Sequence, residues 1–225
     1  MHGWILLLWF AATPGEPQLQ KARDAQDRAE LQRIAMQFGA AADQKAEDAP
    51  AQYRAALAYS MLAGVATELR DKVQARSAAE AGMKPAERAV MLQPGNSEYH
   101  RIWGTLCGQE VAAIAGLGAL KYGKCAIDEV NKALELDPKS AINYVSHGVG
   151  SFYLPPAFGG GVETAQKDFE KAISLDPKLA DAHLWLGMAF RKQNRDADAR
   201  HEFEKALQLS PGRVWAKEQL EKTPH

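Results

Sequence analysis

The chain has 225 residues, of which 46% are hydrophobic and 24% charged, a composition typical of a folded protein. Its formal net charge of −1 at pH 7 excludes the basic field that gathers nucleic acid, so we expect no nucleic-acid partner. Alanine is abundant and β-branched runs are nearly absent, which favours closely packed helices.

The N-terminus contains a nine-residue apolar run, Trp4–Ala12, followed by small residues and a Pro/Gly break. The run is too short to span a bilayer and resembles a signal-peptide core, although no Lys or Arg precedes it. Residues 1–17 are therefore predicted to be a signal peptide or a retained N-terminal apolar segment; a buried segment or a mis-assigned start is a third alternative. Cleavage places the protein in the periplasm or cell envelope, without stable membrane insertion; otherwise it is cytoplasmic.

Residues 18–47 are rich in Ala, Gln and alternating charges. An apolar stripe formed by Leu31, Ile34, Met36 and Phe38 predicts one long helix here. This helix begins the folded domain, which we expect to extend over residues 18–225.

A nine-residue stretch then recurs, each time as the end of an amphipathic helix followed by a breaker. The copies are AERAVMLQP, VNKALELDP, FEKAISLDP and FEKALQLSP, which end at Pro94, Pro138, Pro177 and Pro211. In the last three, alanine stands five and twelve residues before the proline and an apolar residue stands eight before it. These offsets place the three side chains on one helical face.

The helix-breaking prolines also recur at similar intervals. Pro50 precedes Pro94 by 44 residues, and the later spacings are 44, 39 and 34. Ten residues after each of the first four prolines comes a small residue: Ser60, Gly104, Gly148 and Gly187. The pattern predicts helix–turn–helix units over residues 50–94, 94–138, 138–177 and 177–211, with a capping helix in residues 212–222. Such hairpins bury their apolar faces only by stacking.

The surplus residues of the longer units must lie between the two matched ends. In each unit we expect a small residue of the first helix to face small residues of the second. We also expect longer helices in the first two units and a longer loop in the third. Pro85 lies inside the helix that ends at Pro94 and predicts a kink or a short break near Met83–Lys84.

Residues 180–211 resemble a tetratricopeptide repeat with its 34-residue period. The residues that carry the resemblance are Trp185, Leu186, Gly187, Phe190, Ala199, Phe203, Ala206 and Pro211. It implies an all-α, right-handed α-solenoid of four helix hairpins with an N-terminal helix and a C-terminal capping helix. The runs RIWGTLCGQEVAAIAGLGALKYGKCAIDEVNKALELDP and FYLPPAFGGGVETA also resemble exported bacterial tetratricopeptide proteins of unassigned function, which favours export and a non-enzymatic role.

No catalytic motif, metal-ligand set or cofactor signature is present, so we predict a protein that is not an enzyme and has no cofactor. The loop LPPAFGGGV, residues 154–162, lacks the Lys and Ser/Thr of a phosphate loop and is either a wide structural turn or a partner contact through Phe158. Cys107 and Cys125 fall on the two helices of one unit, either as buried free thiols or, if exported, as a disulfide. The helical histidines, His100, His147, His183 and His201, are interpreted as structural.

The tetratricopeptide resemblance implies a concave groove lined by first helices. Carried onto this sequence, it indicates partner-binding candidates at Arg54, Arg101, Thr105, Gln109, Tyr153, Trp185, Met188 and Arg191, although most such residues could simply pack between units. A carboxylate clamp is not reproduced, because Leu57, Val145 and Leu184 are apolar where it requires polar residues.

Our leading hypothesis is a non-catalytic interaction scaffold that binds a peptide or helix of a partner protein in this groove. The alternative is a ligand-binding accessory, or carrier, protein of an envelope transporter. That alternative requires a continuous apolar cavity among the glycines of the second unit, which are Gly104, Gly108, Gly116 and Gly118.

Overall fold

The computed structural model describes residues 15–113 and 117–224, without the side chains of residues 112–120. Almost all of the predicted N-terminal segment lies outside the described residues. Within them the chain forms eleven α-helices and no β-strand. The protein is therefore all-α, as the repeat pattern predicts.

Helices α1 (Glu16–Asp24) and α2 (Arg28–Gln44) replace the single helix predicted for residues 18–47, so that prediction is wrong. The chain breaks because Gln26 adopts a left-handed backbone with φ of 53°, after which the Asp27 carboxylate accepts a hydrogen bond from the Glu30 N–H. Asp27 thereby caps a new helix. As a result, α1 can run in a different direction from α2.

Four antiparallel hairpins and a cap follow. They are α3 (Ala49–Glu68) with α4 (Lys72–Leu92), α5 (Ser97–Ala113) with α6 (Leu117–Leu136), α7 (Ala141–Tyr153) with α8 (Val162–Leu175), α9 (Ala180–Lys192) with α10 (Asp196–Leu209), and finally α11 (Val214–Glu221). The first two hairpins have helices of 17 to 21 residues, whereas the last two have helices of 13 and 14. The third hairpin has the long loop, which contains a 3₁₀ turn, Pro156–Phe158. The surplus residues therefore lie where the spacing predicts them.

Glycines set the contact between the two helices of three hairpins. A Cβ added to Gly104, Gly148 or Gly187 would lie 2.5 to 2.7 Å from the side chain opposite, which is Val130, Phe169 or Phe203 respectively. The glycine therefore faces the apolar residue eight positions before the next proline. Our expectation that small residues face small residues is wrong at these crossings, because the glycine makes room for a large side chain.

Helix α4 continues through Pro85 from Lys72 to Leu92, so the short break allowed near Met83–Lys84 does not occur. The proline deprives the carbonyl of Ala81 of its helical partner. Ala81 is exposed, so that water can satisfy the free carbonyl.

The first helices of the hairpins form the inner layer. Contacts between successive first helices, α3 with α5, α5 with α7 and α7 with α9, are more extensive than those between successive second helices. In a curved stack the inner elements lie closer together, so α3, α5, α7 and α9 line the concave face of an α-solenoid.

Candidate partner-binding groove

Tyr153 is the most exposed of the predicted groove residues, with 66% of its surface accessible. It stands at the end of α7 and makes an edge-on contact with Trp185 of α9, with ring centroids 6.2 Å apart. Trp185 in turn contacts Phe152, Phe169 and Trp215 at centroid distances of 5.8, 6.2 and 5.3 Å. We call these five rings the aromatic cluster. The other four rings give Tyr153 a rigid support.

Arg101 lies on α5 and is only 9% exposed. Its Nε and Nη2 donate to the carboxylate of Glu98 at 2.6 and 2.5 Å, and its Nη1 donates to Ser146 Oγ of α7 at 3.2 Å. The hydroxyl of Tyr53 on α3 donates to the same carboxylate at 2.8 Å. Arg101 therefore links three first helices and already has its charge paired.

The remaining candidates are partly buried and mostly engaged. Thr105 Oγ1 donates to the Arg101 carbonyl at 2.8 Å, and Gln109 Nε2 donates to the Ser60 carbonyl at 3.0 Å. Arg54 lies near Tyr99, where its charge opposes the burial that raises the pKa of that phenol.

The other end of the inner layer is also engaged. Arg191 Nη2 donates to Gln219 Oε1 of α11 at 2.6 Å and contacts Met188 Sδ at 3.3 Å. Its burial lowers the pKa of the Arg191 guanidinium. The structure thus brings together Tyr153 with Trp185, Arg101 with Thr105, and Met188 with Arg191.

A cluster that the sequence does not reveal joins α1 to the last hairpin. Arg23 Nη1 donates to Asp181 Oδ2 of α9 at 2.5 Å, and Ser210 Oγ donates to Asp24 Oδ2 at 3.0 Å. Arg213 forms an ion pair with Glu68 at the end of α3. The five charged side chains, Arg23, Asp24, Glu68, Asp181 and Arg213, are between 6% and 19% exposed, and we call them the clasp.

No local sequence pattern could have identified the clasp. Its partners Arg23 and Asp181 are 158 residues apart, and each looks like an ordinary charge on an amphipathic helix. They meet only because the stacked hairpins curve and bring α9 back toward α1.

Three of the four helical histidines are bonded to acids of the facing helix. The Nδ1 atoms of His100, His147 and His183 lie 2.6 to 2.7 Å from Glu129, Asp168 and Glu202, respectively. The bond with Asp168 raises the pKa of His147. In the described residues, no group of three or more His, Cys, Asp or Glu side chains is placed to hold a metal ion. These three histidines therefore have structural partners.

Cys107 and Cys125 form a disulfide between α5 and α6, with their Cα atoms 5.9 Å apart. The sequence left this pairing open. Cys107 lies three residues after Gly104 and Cys125 five residues before Val130, at positions that correspond to Phe190 and Asp198 of the last hairpin. The bond therefore fastens the two helices just beyond their closest crossing.

The carrier alternative requires a cavity near Gly104, but Gly104 packs closely against Val130. Gly108 has ordinary contact distance to Ala126, with 3.8 Å between an added Cβ and the Ala126 Cβ. Gly116 lies outside the described residues, and the side-chain surroundings of residue 118 lie outside them as well. Helices α5 and α6 are thus packed together around Gly104 and Gly108, the two of these glycines whose surroundings the structure describes.

Hydropathy along the described helices excludes a transmembrane span among them, since none is both long and apolar enough to cross a bilayer.

The four stacked hairpins define the tetratricopeptide class of α-solenoid, and a tetratricopeptide repeat model matches residues 180–213. The family model described as regulator of microtubule dynamics protein 1-3 matches residues 18–154, which is more than half of the chain. The chain therefore belongs to this family. A search of curated proteins finds no match.

Solved structures share the fold at low identity. A thermophilic TPR protein from Thermus thermophilus, TTC0263, superposes with a TM-score of 0.64 at 15% identity, over 91% of this chain and 98% of that one. The HusA haemophore from Porphyromonas gingivalis gives 0.61 at 19% identity, over 80% and 94%. PilF of Pseudomonas aeruginosa gives 0.50 at 20% identity, over 76% and 68%. At these identities the likeness concerns the fold alone.

Proposed function

We propose that the protein is a non-catalytic scaffold that binds a peptide or a helix of a partner protein on its concave face. The observation that carries this proposal is the exposed ring of Tyr153, held against Trp185 at the inner layer. Tyr and Trp are enriched at the energetic centres of protein interfaces, because they offer large contact area with little conformational freedom to lose.

The scaffold around this ring supports the same conclusion. Tetratricopeptide repeats generally serve as interaction modules that present a concave surface. The family description names a regulator, which agrees with action through binding to other proteins. Arg101, Thr105, Met188 and Arg191 contribute by holding the inner helices in place, whereas Tyr153 offers the contact surface.

We also propose that the apolar run near the N-terminus directs export to the cell envelope. The Cys107–Cys125 disulfide supports this location, because disulfides persist in oxidising compartments and are rare in the cytosol. Intact-mass measurement on protein fractionated from its native host tests it. Loss of the N-terminal residues in an envelope fraction is expected, and retention of Met1 in a cytosolic fraction would overturn it.

Site-specific photo-crosslinking tests the binding function. A benzophenone amino acid replaces Tyr153 in one variant and Met91, which is 63% exposed on the outer helix α4, in the control. We expect a discrete covalent adduct with one partner polypeptide from position 153 only. No adduct at position 153, or the same adducts from both positions, would contradict binding at the concave face.

A further inference from the structure

Helix α1 crosses the concave face from the first hairpin to the last. Leu19 is fully buried and Ala22 nearly so, in the core that α1 shares with α2 and α3. One turn later, Arg23 bonds to Asp181 of α9 and Asp24 accepts from Ser210, in the turn between α10 and α11. A single nine-residue helix therefore occupies the surface that a partner segment would use.

The two ends of α1 are held by different forces. Its apolar side packs on α2 and α3, whereas its contacts with the last hairpin are ion pairs and hydrogen bonds. A buried ion pair gains little net free energy, because both charges lose their hydration. We call Asp181 of α9 and Ser210, which follows α10, the seat of α1. The contacts in the seat are specific, but another segment can replace α1 there.

Short length and non-helical ends make α1 suited to release. A helix of nine residues is marginal by itself in water. It is bounded by Gly15, with φ of 101°, and by Gln26, with φ of 53°. Three residues, 25–27, connect it to α2, so the rest of the fold does not depend on a continuous helix there.

The charges in the seat define what can replace α1. Burial by itself would raise the pKa of Asp181, but Arg23 and then Arg213 hold it below its usual value. Glu68 already has Arg213 and Gln26 as partners. When α1 leaves, Asp181 loses its bonded cation, and the seat is left with a carboxylate that selects an arginine.

The Tyr153 ring contacts Trp185, which lies one turn beyond Asp181 on α9. Partial loss of water around its hydroxyl, and then the nearby carboxylate of Glu68, raise the pKa of Tyr153. A partner that reaches the exposed Tyr153 ring therefore also reaches the clasp.

We propose that α1 is an intramolecular occupant of the partner site, and that the partner supplies an amphipathic helix with the same pattern. That pattern is an apolar residue followed four residues later by an arginine and then an acid, as in Leu19, Arg23 and Asp24. The arginine bonds to Asp181, the acid accepts from Ser210, and the apolar residue enters the place of Leu19. This inference rests on the proposed function.

Competition with a synthetic peptide tests it. The probe is a fluorescent peptide with the sequence of residues 15–27, and a second peptide carries Glu in place of the arginine. Both are titrated by fluorescence polarisation into the full-length wild type, Arg23→Ala and the matched control Arg33→Ala, whose arginine forms an exposed pair with Glu30 on α2.

We expect Arg23→Ala to bind the first peptide at least about tenfold more tightly than the wild type, because the internal competitor is weakened. Arg33→Ala should behave as the wild type, the Glu-containing peptide should not bind, and adding Asp181→Asn to Arg23→Ala should abolish binding. Failure of a folded Arg23→Ala variant to gain affinity, or retention of affinity with Asp181→Asn, would overturn the inference. Circular dichroism establishes that each variant is folded.

If Arg23→Ala does not fold, Asp24→Ala decides the matter. It removes the hydrogen bond between α1 and Ser210 but leaves Ser210 available to the acid of the peptide, so peptide affinity should increase by about threefold. An unchanged affinity would overturn the inference. A wild-type dimer in sedimentation experiments, with α1 exchanged between copies, would also overturn the inference. The seat would then be occupied by α1 of a second copy of this chain.

The crosslinking experiment separates this inference from the proposed function. A partner that still crosslinks to position 153 when excess peptide is present during irradiation leaves the function in place and refutes the role of α1. Peptide binding without any captured partner refutes the function instead.

Discussion

The first two hairpins and the last two use the same register but different cores. The core of α1 to α5 consists mostly of alanines and aliphatic residues, and close approach of the helices is possible because the alanines are small. The core of α7 to α11 is built on aromatic rings, with Phe152, Phe169, Phe190, Phe203 and Trp215 buried. The long hairpins thus gain contact from length, and the short ones from large side chains.

Truncating equivalent core residues tests this difference most strongly. Phe203→Ala in the fourth hairpin should lower the free energy of unfolding by about 3–5 kcal/mol, because it empties a fully buried site opposite Gly187. Val130→Ala, at the same position of the second hairpin, should cost only about 1–2 kcal/mol. Urea titrations followed by circular dichroism measure both. Equal losses would contradict a division between aromatic and small-residue packing.

The disulfide belongs to the long-hairpin region and gives the next effect. Its two cysteines are 18 residues apart. A cross-link over that distance lowers the entropy of the unfolded chain, which raises the free energy of unfolding by about 3 kcal/mol. Replacing both Cys107 and Cys125 by Ala should lower stability by that amount, measured as a shift of the urea midpoint. Reductant should destabilise the wild type equally and leave the double variant unchanged. A wild type indifferent to reductant would refute the structural role.

The clasp connects the two regions, so its loss should affect both. Asp181→Asn should lower stability by about 2 kcal/mol at pH 7, since it removes a charged acceptor from Arg23. The pKa of Asp181 is lowered in the folded protein, so its contribution is present above the unfolded pKa and is lost as the pH falls through the folded value.

Urea titrations of wild type and Asp181→Asn should therefore show that the difference between their free energies of unfolding becomes smaller from pH 7 down to about pH 3. The control is Asp198→Asn, which removes an exposed partner of Arg195 on α10 and should change stability little. If the stability difference between wild type and Asp181→Asn stays constant with pH, the charge of Asp181 does not contribute to stability.

The smallest effect concerns His147 in the third hairpin. Asp168 raises its pKa, so the stabilisation is complete below the unfolded histidine pKa and is lost as the pH rises through the folded value. Asp168→Asn should cost less than about 1 kcal/mol at pH 5.5 and nothing measurable at pH 9, because the imidazole is partly solvated. Thermal melts at the two pH values measure this, and a larger loss at pH 9 would contradict it.

Sequence alone predicts the hairpins well because their signals are local. Prolines mark the boundaries, and each residue of the pairs Gly187–Phe203 and Gly148–Phe169 stands at a fixed offset from its flanking proline. The break before Asp27 could also be predicted, since Asp27 and Glu30 have the spacing of a helix cap, but the uniform Ala-, Gln- and charge-rich composition of residues 18–47 favoured one helix.

The groove was less predictable. The repeat register placed Tyr153 and Trp185 in the inner layer, yet it could not show that Arg101 is neutralised by Glu98 on its own helix. The pairing of Arg23 with Asp181 depends on how much the stack curves over four hairpins, and curvature accumulates from small rotations that no single motif encodes.

Closure of the chain by the clasp changes how the repeat array should unfold. In an open solenoid each unit contacts only its neighbours, so that terminal units fray first and stability is a sum of local terms. Here the first and third helices are bonded to the fourth hairpin through Asp181 and Arg213. The ends of the array therefore support each other, and the protein should lose its structure in one cooperative step rather than from its termini inward.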